Sequence, residues 1–408
     1  MEFSGVVEYN WIFVFNFLYG LLLSVMHLFI VNFFIRQRIV KYIVATYIGL
    51  FFSPIFVLNE WLADFQFLEV LAYVEIFFMA MILFYGFFLY VFKARPYQSG
   101  ITVQTTKIIK GRFSLIKYFR LNTFFYIASV GFVFYFLQNL GFSGVYQYIY
   151  LQEIHPRFAW YESPESMQFL FAIYGRILAP VAIIYQKKNL SFVVVALLSA
   201  LILVNSVERQ TMIIILFALF VRLFFVELKF NQKIVNISMI MLTMLILFYI
   251  FIMQGNIESH TADQILFDSL SVMYNRIIVD PLYMLNHIIV NYNDMPYTYA
   301  ATNRSIGYIF DVYIPGFSAI GILADGYLAL GVFGVFLASF WYSMILAFCV
   351  LYLKKMKYVP NSYKIVAEML ILIAMISFFY SNIFSAIPVA VILVFIFYRN
   401  LIIRIYKC

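Results

Sequence analysis

Five arginines are the residues of this sequence best suited to chemistry at a membrane surface. They lie outside the basic stretches that join long apolar segments, and no lysine accompanies them. Arginine binds phosphate or carboxylate through a planar fork of donors, whereas lysine is a point charge. Each could instead pair with a nearby acid or mark a membrane interface. As a set they favour an anion site: Arg157, Arg176, Arg209, Arg276 and Arg304.

Arg176 is the most informative of the five because it lies well inside an apolar segment. It is about nine residues in, or roughly 14 Å deep at the helical rise per residue. A charge at the middle of a membrane costs on the order of 2.5–3.5 kcal/mol on insertion scales. Pro180 offers no N–H to the carbonyl of Arg176, which predicts a loosened or kinked helix there. A buried pair with an acid such as Glu75 is the alternative.

Arg209 stands at the start of another apolar segment, in the stretch NSVERQTMIIILFALFV. The free N–H groups and the dipole at a helix N-terminus favour an anion, so an arginine there would help to bind phosphate. An ordinary interface residue is the alternative. Arg276 and Arg304 fall in a long later segment, where Arg276 could instead pair with Asp280 four residues on.

Candidates for proton transfer lie in the same long segment. His260 stands beside Glu258 in the polar stretch NIESHTADQ, and it could act as a general base or be a solvated loop histidine. Asp311 lies before the run IPGFSAIGILADGYLALGVFGVF and Asp325 lies within it. Both could line a site at the membrane interface, where they would accept hydrogen bonds from sugar hydroxyls or pair with the arginines. The glycines of that run could serve only close helix packing. His27, on an apolar segment, is expected to be a packed histidine.

Other classes of site find no support in the sequence. No HExxH, paired CxxC, Walker or DxD pattern occurs, so neither a metal nor a cofactor is expected. The net charge of +8 does not indicate nucleic-acid binding, because in a membrane protein the distribution of charge matters more than its sum.

Long apolar segments must position these residues. The chain of 408 residues is 65% hydrophobic and 11% charged, whereas soluble domains carry about 25% charged residues. Apolar runs of about 18 or more residues predict transmembrane helices. We therefore expect an all-α polytopic membrane protein, with residues 1–408 forming a single integral membrane domain of about eleven spans. The predicted spans cover roughly residues 11–35, 39–58, 70–92, 121–140, 167–186, 189–205, 210–226, 234–253, 327–353, 365–386 and 389–405.

Basic residues set the predicted orientation. Lysine and arginine fill alternate connections, which the positive-inside rule makes cytoplasmic. The N-terminus is then outside and the C-terminus inside, and the five arginines lie on the outer side or in the outer half of a span. The basic loop 93–120 is cytoplasmic and is expected to contact lipid headgroups. Loops 141–166 and 254–326 are on the outer side, and apolar residues at helical spacing predict short helices in the second.

The chain resembles the Wzy-type polymerases of bacterial O-antigen or capsule repeat units. The NSVERQTMIIIL stretch is similar to the family's small-polar-arginine motif at a helix start. The run IPGFSAIGILADGYLALGVFGVFLASF is similar to the family's Pro-Gly, acidic and glycine-rich motif. The resemblance covers nearly the whole chain as a layout of spans and loops, and about 60 residues as motif.

The resemblance implies a membrane glycosyltransferase of glycosyltransferase C-like layout, acting at the periplasmic face of the bacterial inner membrane. A hydroxyl of one undecaprenyl-pyrophosphate-linked repeat unit would attack the anomeric carbon of a glycan on a second carrier. The partners implied are this lipid-linked donor and acceptor, membrane lipid and a chain-length regulator, with no nucleic acid.

The resemblance also implies roles for individual residues, since arginines can stabilise a leaving pyrophosphate without a metal. Those for the pyrophosphate are Arg176, Arg209, Arg276 and Arg304. Those for proton transfer are His260, Glu258 and Asp311, and those for the sugar are Asp325 and Tyr308.

Two other functions remain open. An O-antigen ligase would share the donor but transfer the glycan to a lipid A core, and such enzymes usually have a histidine-rich outer loop. A flippase or transporter of lipid-linked oligosaccharides would carry charges along a central cavity and show an internal repeat. No clear repeat is visible in this sequence.

Overall fold

The described parts of the chain are almost entirely helical. The computed structural model describes residues 11–61, 65–92, 123, 126–132, 134, 173–186, 188–206, 209–254, 280–292, 321–356, 359, 361–379 and 386–407. Within these ranges no residue belongs to a β-strand. The helices are α1 (Trp11–Phe34), α2 (Arg38–Trp61), α3 (Phe67–Val91), α4 (Ala179–Tyr185), α5 (Asn189–Ser206), α6 (Arg209–Phe225), α7 (Phe230–Gln254), α8 (Asp280–Tyr292), α9 (Gly321–Lys354), α10 (Asn361–Phe379) and α11 (Ala386–Lys407).

The expected all-α class is confirmed for these ranges, and the helix bounds follow the apolar segments of the sequence. Each described helix except α8 overlaps a predicted span, although α4 covers only the last part of the span predicted over 167–186. The segment 121–140 is described only at residues 123, 126–132 and 134, which are helical. Helix α8 falls inside segment 254–326, and it begins at Asp280, directly before Pro281.

Several helices are suited to a membrane by length and composition. Among the described residues, four stretches are long and apolar enough to cross one: Arg38–Phe56, Phe67–Val91, Phe230–Leu247 and Gly321–Lys354. Large apolar side chains on these and neighbouring helices face outward, as Leu68 does at 77% exposure and Phe33 at 82%. Apolar surface of this kind suits lipid rather than water.

The chain divides into two compact units. One comprises Met1–Ile101, Met273–Lys355 and Ala374–Val389 and is called unit 1 below. The other, unit 2, comprises Thr102–Val272, Met356–Ile373 and Ala390–Cys408. Unit 1 contains the contacts of α1 with α2 and of α3 with α9, and unit 2 contains those of α6 with α4 and α7.

Aromatic side chains form the core of unit 1. The Tyr47 ring lies 5.2 Å from Phe77 and 5.4 Å from Phe379, and Phe379 stacks on Tyr342 at 5.1 Å. Both tyrosine hydroxyls are buried and must find acceptors. Tyr47 donates to the carbonyl of Val74 at 3.0 Å, and Tyr342 donates to another helix carbonyl. The core of unit 1 therefore consists of packed aromatic rings, and its two tyrosine hydroxyls donate hydrogen bonds to the carbonyls of surrounding helices.

Helix α9 is broken near its start. Leu330 and Gly331 have non-helical backbone angles, and Gly331 has a φ of 59°. The break folds the chain back on itself, because a Cβ atom on Gly326 would lie 2.7 Å from the carbonyl oxygen of Gly334. In a straight helix, residues eight apart are separated by about 12 Å. The sequence predicts one continuous span over 327–353, whereas the structure separates a short helix, 321–329, from the long part of α9 that begins at Val332.

Candidate functional site

Arg176 lies in a π-helical turn, Tyr174–Leu178, directly before α4. The N–H of Ala179 donates to the carbonyl of Tyr174, five residues back instead of four. Pro180 follows and supplies no N–H for the carbonyl of Arg176, so the ordinary helical bond is missing there. The predicted loosening of the helix before Pro180 is confirmed. Such turns widen a helix locally and are frequent at functional sites.

The Arg176 turn is held against two neighbouring segments of unit 2. The hydroxyl groups of Tyr174 and Ser199 are 3.0 Å apart, and the Tyr174 ring stacks on Phe132 at 5.2 Å. Arg176 itself is buried, with 8% of its surface exposed. A charged side chain inside apolar helices is costly, which marks Arg176 as a candidate functional residue.

Arg209 is the first residue of α6, which agrees with the predicted start of a helix at that position. Helix α6 packs against the π-helical turn that carries Arg176. The elements that bear two of the predicted pyrophosphate ligands are therefore in contact within unit 2. The N-terminal N–H groups of α6 add positive potential where that helix begins.

Asp325 lies in unit 1, on the short helix that precedes the break in α9. Every residue from Gly321 to Leu328 is buried, and Asp325 is 3% exposed. Its neighbour Tyr327 places its ring 4.7 Å from that of Tyr73 on α3. A carboxylate accepts hydrogen bonds, and a phenol both donates and accepts them.

Seven of the candidate site residues fall outside the described residues. They are Arg157, Glu258, His260, Arg276, Arg304, Tyr308 and Asp311. The same is true of the loops 93–120 and 141–166, and of segment 254–326 apart from Gln254, α8 and residues 321–326.

On α8, burial lowers the pKa of the His287 imidazole below its ordinary value. Asn286, beside it, accepts a hydrogen bond from the backbone N–H of Gln66 at 2.7 Å.

An imidazole–carboxylate pair in unit 1 is not foreseen from the sequence. Nε2 of His27 on α1 lies 2.9 Å and 3.1 Å from the two carboxylate oxygens of Glu75 on α3. Its Nδ1 lies 2.7 Å from the carbonyl oxygen of Leu23. The expected packing of His27 is confirmed, because its ring stacks on Phe52 at 4.2 Å and meets the edge of Phe78. Glu75, offered by the sequence as a partner for Arg176, is bound to this histidine.

The described residues thus contain a buried arginine on a π-helical turn, a buried aspartate beside a broken helix, and a histidine–glutamate pair. Groups of three or more histidine, cysteine or acidic side chains that could hold a metal are not found among them. Comparison of the chain with protein-family models, curated proteins and solved structures finds no match.

Proposed function

We propose that this protein is a bacterial membrane glycosyltransferase that joins lipid-pyrophosphate-linked oligosaccharide repeat units into an O-antigen or capsular polysaccharide. The observation that carries the proposal is Arg176. It is buried on a π-helical turn within apolar helices, and that turn packs against the helix beginning at Arg209. Two arginines on contacting elements suit an anionic group at a membrane boundary.

The proposed reaction needs cations more than it needs a nucleophile on the protein. A hydroxyl oxygen of the acceptor unit forms a bond to the anomeric carbon of the donor glycan. The bond from that carbon to the pyrophosphate oxygen breaks, and the lipid pyrophosphate leaves with the electron pair. The hydroxyl proton passes to a base, for which His260, Glu258 and Asp311 are the candidates. Arg176 and Arg209, with Arg276 and Arg304, stabilise the charge that develops on the leaving group.

The proposal includes a topology. Eleven spans place the N-terminus outside and the C-terminus inside the inner membrane, and they place the arginine site on the periplasmic side. The distribution of basic residues supports this orientation through the positive-inside rule. The long apolar helices of the structure support an integral membrane protein.

Substitution of Arg176 tests the proposed function. In a host deleted for the gene, the wild-type chain should restore a ladder of surface polysaccharide on a gel. Arg176→Lys keeps the charge but loses the two-pronged fork, and we expect about a hundredfold less polymer, the usual effect of losing one transition-state donor. Arg176→Gln should abolish the ladder and leave lipid-linked single units.

The matched control is Arg404→Gln, which removes an exposed guanidinium from α11. It should leave the ladder unchanged, and immunoblots of membranes should show equal amounts of all variants. A normal ladder from both Arg176 variants would overturn the proposal. Complete loss of repeat units on deletion, single units included, would indicate a ligase or a flippase instead.

A further inference from the structure

Arg222 is a second buried arginine, on α6 three residues before its end at Phe225. Its side chain is fully buried in unit 2, with 0% exposure. The guanidinium carbon lies 3.8 Å from the centre of the Phe192 ring on α5. Its Nη2 donates to the backbone carbonyl of Gln186 at 2.8 Å, where α4 ends. The guanidinium is therefore held in a fixed place by one ring and one carbonyl.

Most of the donors of this guanidinium have no acceptor among the residues that the structure describes. Within that part of the chain, Nε and Nη1 of Arg222 are buried and form no hydrogen bond, and the same is true of the side-chain nitrogen of Gln186. Among the residues that the structure describes, no carboxylate forms an ion pair with Arg222. The cluster thus combines a full positive charge with unused N–H groups from two side chains.

Neither the ring nor buried water can neutralise this charge. The face of Phe192 and the carbonyl of Gln186 supply only partial negative charge. Water could satisfy amide groups of this region, such as the unpartnered oxygens of Asn189 and Asn236, but it is uncharged. A buried charge is expected to be paired with an opposite charge.

We propose that Arg222 and the side-chain amide of Gln186 form a binding site for a phosphate group. A phosphate offers several acceptor oxygens and a negative charge, which match the unused donors and the guanidinium. The site is separate from the proposed pyrophosphate site, because Arg222 lies thirteen residues along α6 from Arg209, near the other end of that helix. Its validity does not depend on the proposed function.

The position of the Arg222 site indicates two sources for the phosphate group. Lys229 and Lys233 follow Arg222 in sequence and are exposed. In the predicted topology this end of α6 meets the cytoplasmic surface, where anionic lipid headgroups are enriched near basic residues. A lipid phosphate and inorganic phosphate share the same chemistry, and the experiment separates them.

The full chain, purified in an uncharged detergent, provides the test. Its melting temperature is measured with inorganic phosphate against chloride at equal ionic strength, and with added phosphatidylglycerol against diacylglycerol, which has no phosphate. We expect one or both phosphate probes to raise the melting temperature. Stabilisation by phosphatidylglycerol alone assigns the site to a lipid headgroup, and stabilisation by both probes assigns it to the phosphate group itself.

Variants connect the effect to Arg222. Arg222→Lys keeps the charge without the fork and should weaken the response to the active probe by about tenfold in concentration. Arg404→Gln removes an exposed guanidinium rather than the buried one, and its melting temperature should respond to the probe as that of the wild type does. If neither probe stabilises the wild-type chain, or if Arg222→Lys responds as the wild type does, the proposal is overturned and Arg222 only caps the end of α4.

Discussion

His27, Arg176 and Arg222 are ionisable side chains buried in apolar helices, where each needs an electrostatic partner. His27 has Glu75, with both ring nitrogens next to acceptor oxygens. Arg222 has an aromatic face and a carbonyl but no carboxylate among the residues described. This difference explains why the first is interpreted as part of the fold and the second as a site for an anion.

Breaking the His27–Glu75 pair should destabilise the protein. We expect His27→Leu and Glu75→Leu each to lower the free energy of unfolding by about 1–3 kcal/mol, because each leaves the remaining group, the buried imidazole or the one-third-exposed carboxylate, without its partner. The double variant should lose less than the sum, with a coupling energy of about 0.5–3 kcal/mol. Reversible unfolding of the four proteins in mixed micelles gives these values.

Leu28→Ala, at an exposed position on the same helix α1, serves as a control that should change stability little. Strictly additive losses in the two single variants would mean that the pair contributes no interaction of its own.

At this scale the sequence predicts burial better than it predicts partners. Arg176 is placed correctly inside an apolar helix, and the proline four residues later predicts its loosened turn. The partner of Glu75 could not be predicted, because His27 and Glu75 are 48 residues apart and meet only through the packing of helices. Seven candidate residues lie outside the described ranges and remain predictions.

At the scale of elements, the break in α9 is the feature that most changes the local fold. Gly331 has a backbone conformation that residues with a Cβ atom rarely adopt. Gly326 and Gly334 let the two parts of α9 approach at backbone contact. The short helix before the break is thereby buried together with Asp325.

A methyl group at the contact between Gly326 and Gly334 should push the two parts of α9 apart. In Gly334→Ala the new Cβ atom would overlap the carbonyl oxygen of Gly326, which is backbone and cannot rotate away. We expect a loss of about 1–3 kcal/mol in stability, the usual effect of overpacking. Thermal unfolding of the purified protein in detergent measures it as a lower melting temperature.

Gly86→Ala is the matched control, because a Cβ atom at Gly86 on α3 meets nothing within 4 Å. Alanine there should leave the melting temperature unchanged or raise it, since alanine favours helix more than glycine does. Equal melting temperatures for the two alanine variants would contradict the close approach at Gly334.

The helices could be predicted because long apolar runs determine both their type and their bounds. The reversal in α9 could not, since the residues around Leu330 are as apolar as those of a straight span. The sequence allows the glycines at 331 and 334 to serve close packing between helices. In the structure Gly334 packs against Gly326 of the same helix. Composition alone does not determine which of these two contacts forms.

At the scale of the whole molecule, outward-facing apolar side chains and long apolar helices point to lipid as the surrounding solvent. The orientation in that lipid rests on charge. Arg36, Lys188 and Lys229 follow helices α1, α4 and α6, and the positive-inside rule predicts that all three lie on the cytoplasmic side. We expect Gln66, between α2 and α3, on the opposite side.

Single-cysteine labelling tests this orientation. In a background carrying Cys349→Ala and Cys408→Ala, we expect Gln66→Cys to react with a membrane-impermeant maleimide in cells with a permeable outer membrane. Arg36→Cys and Lys229→Cys should react only after the inner membrane is opened, because the predicted topology exposes them to the cytoplasm. All three positions are exposed or border a helix end, so the reagent can reach them.

A permeant maleimide applied to the same cells should label all three variants equally, which controls for accessibility of the thiol. Labelling of Arg36→Cys and Gln66→Cys from the same side would contradict the alternating layout.

The contact between Gly326 and Gly334 also has a consequence for how the chain is made. It closes a loop of eight residues, so it costs little chain entropy and needs no distant helix. Local contacts of this kind form early in folding. We therefore expect the reversal to be complete as soon as the segment leaves the insertion machinery. The short helix that carries Asp325 would then already lie against the long part of α9 before the rest of unit 1 assembles around it.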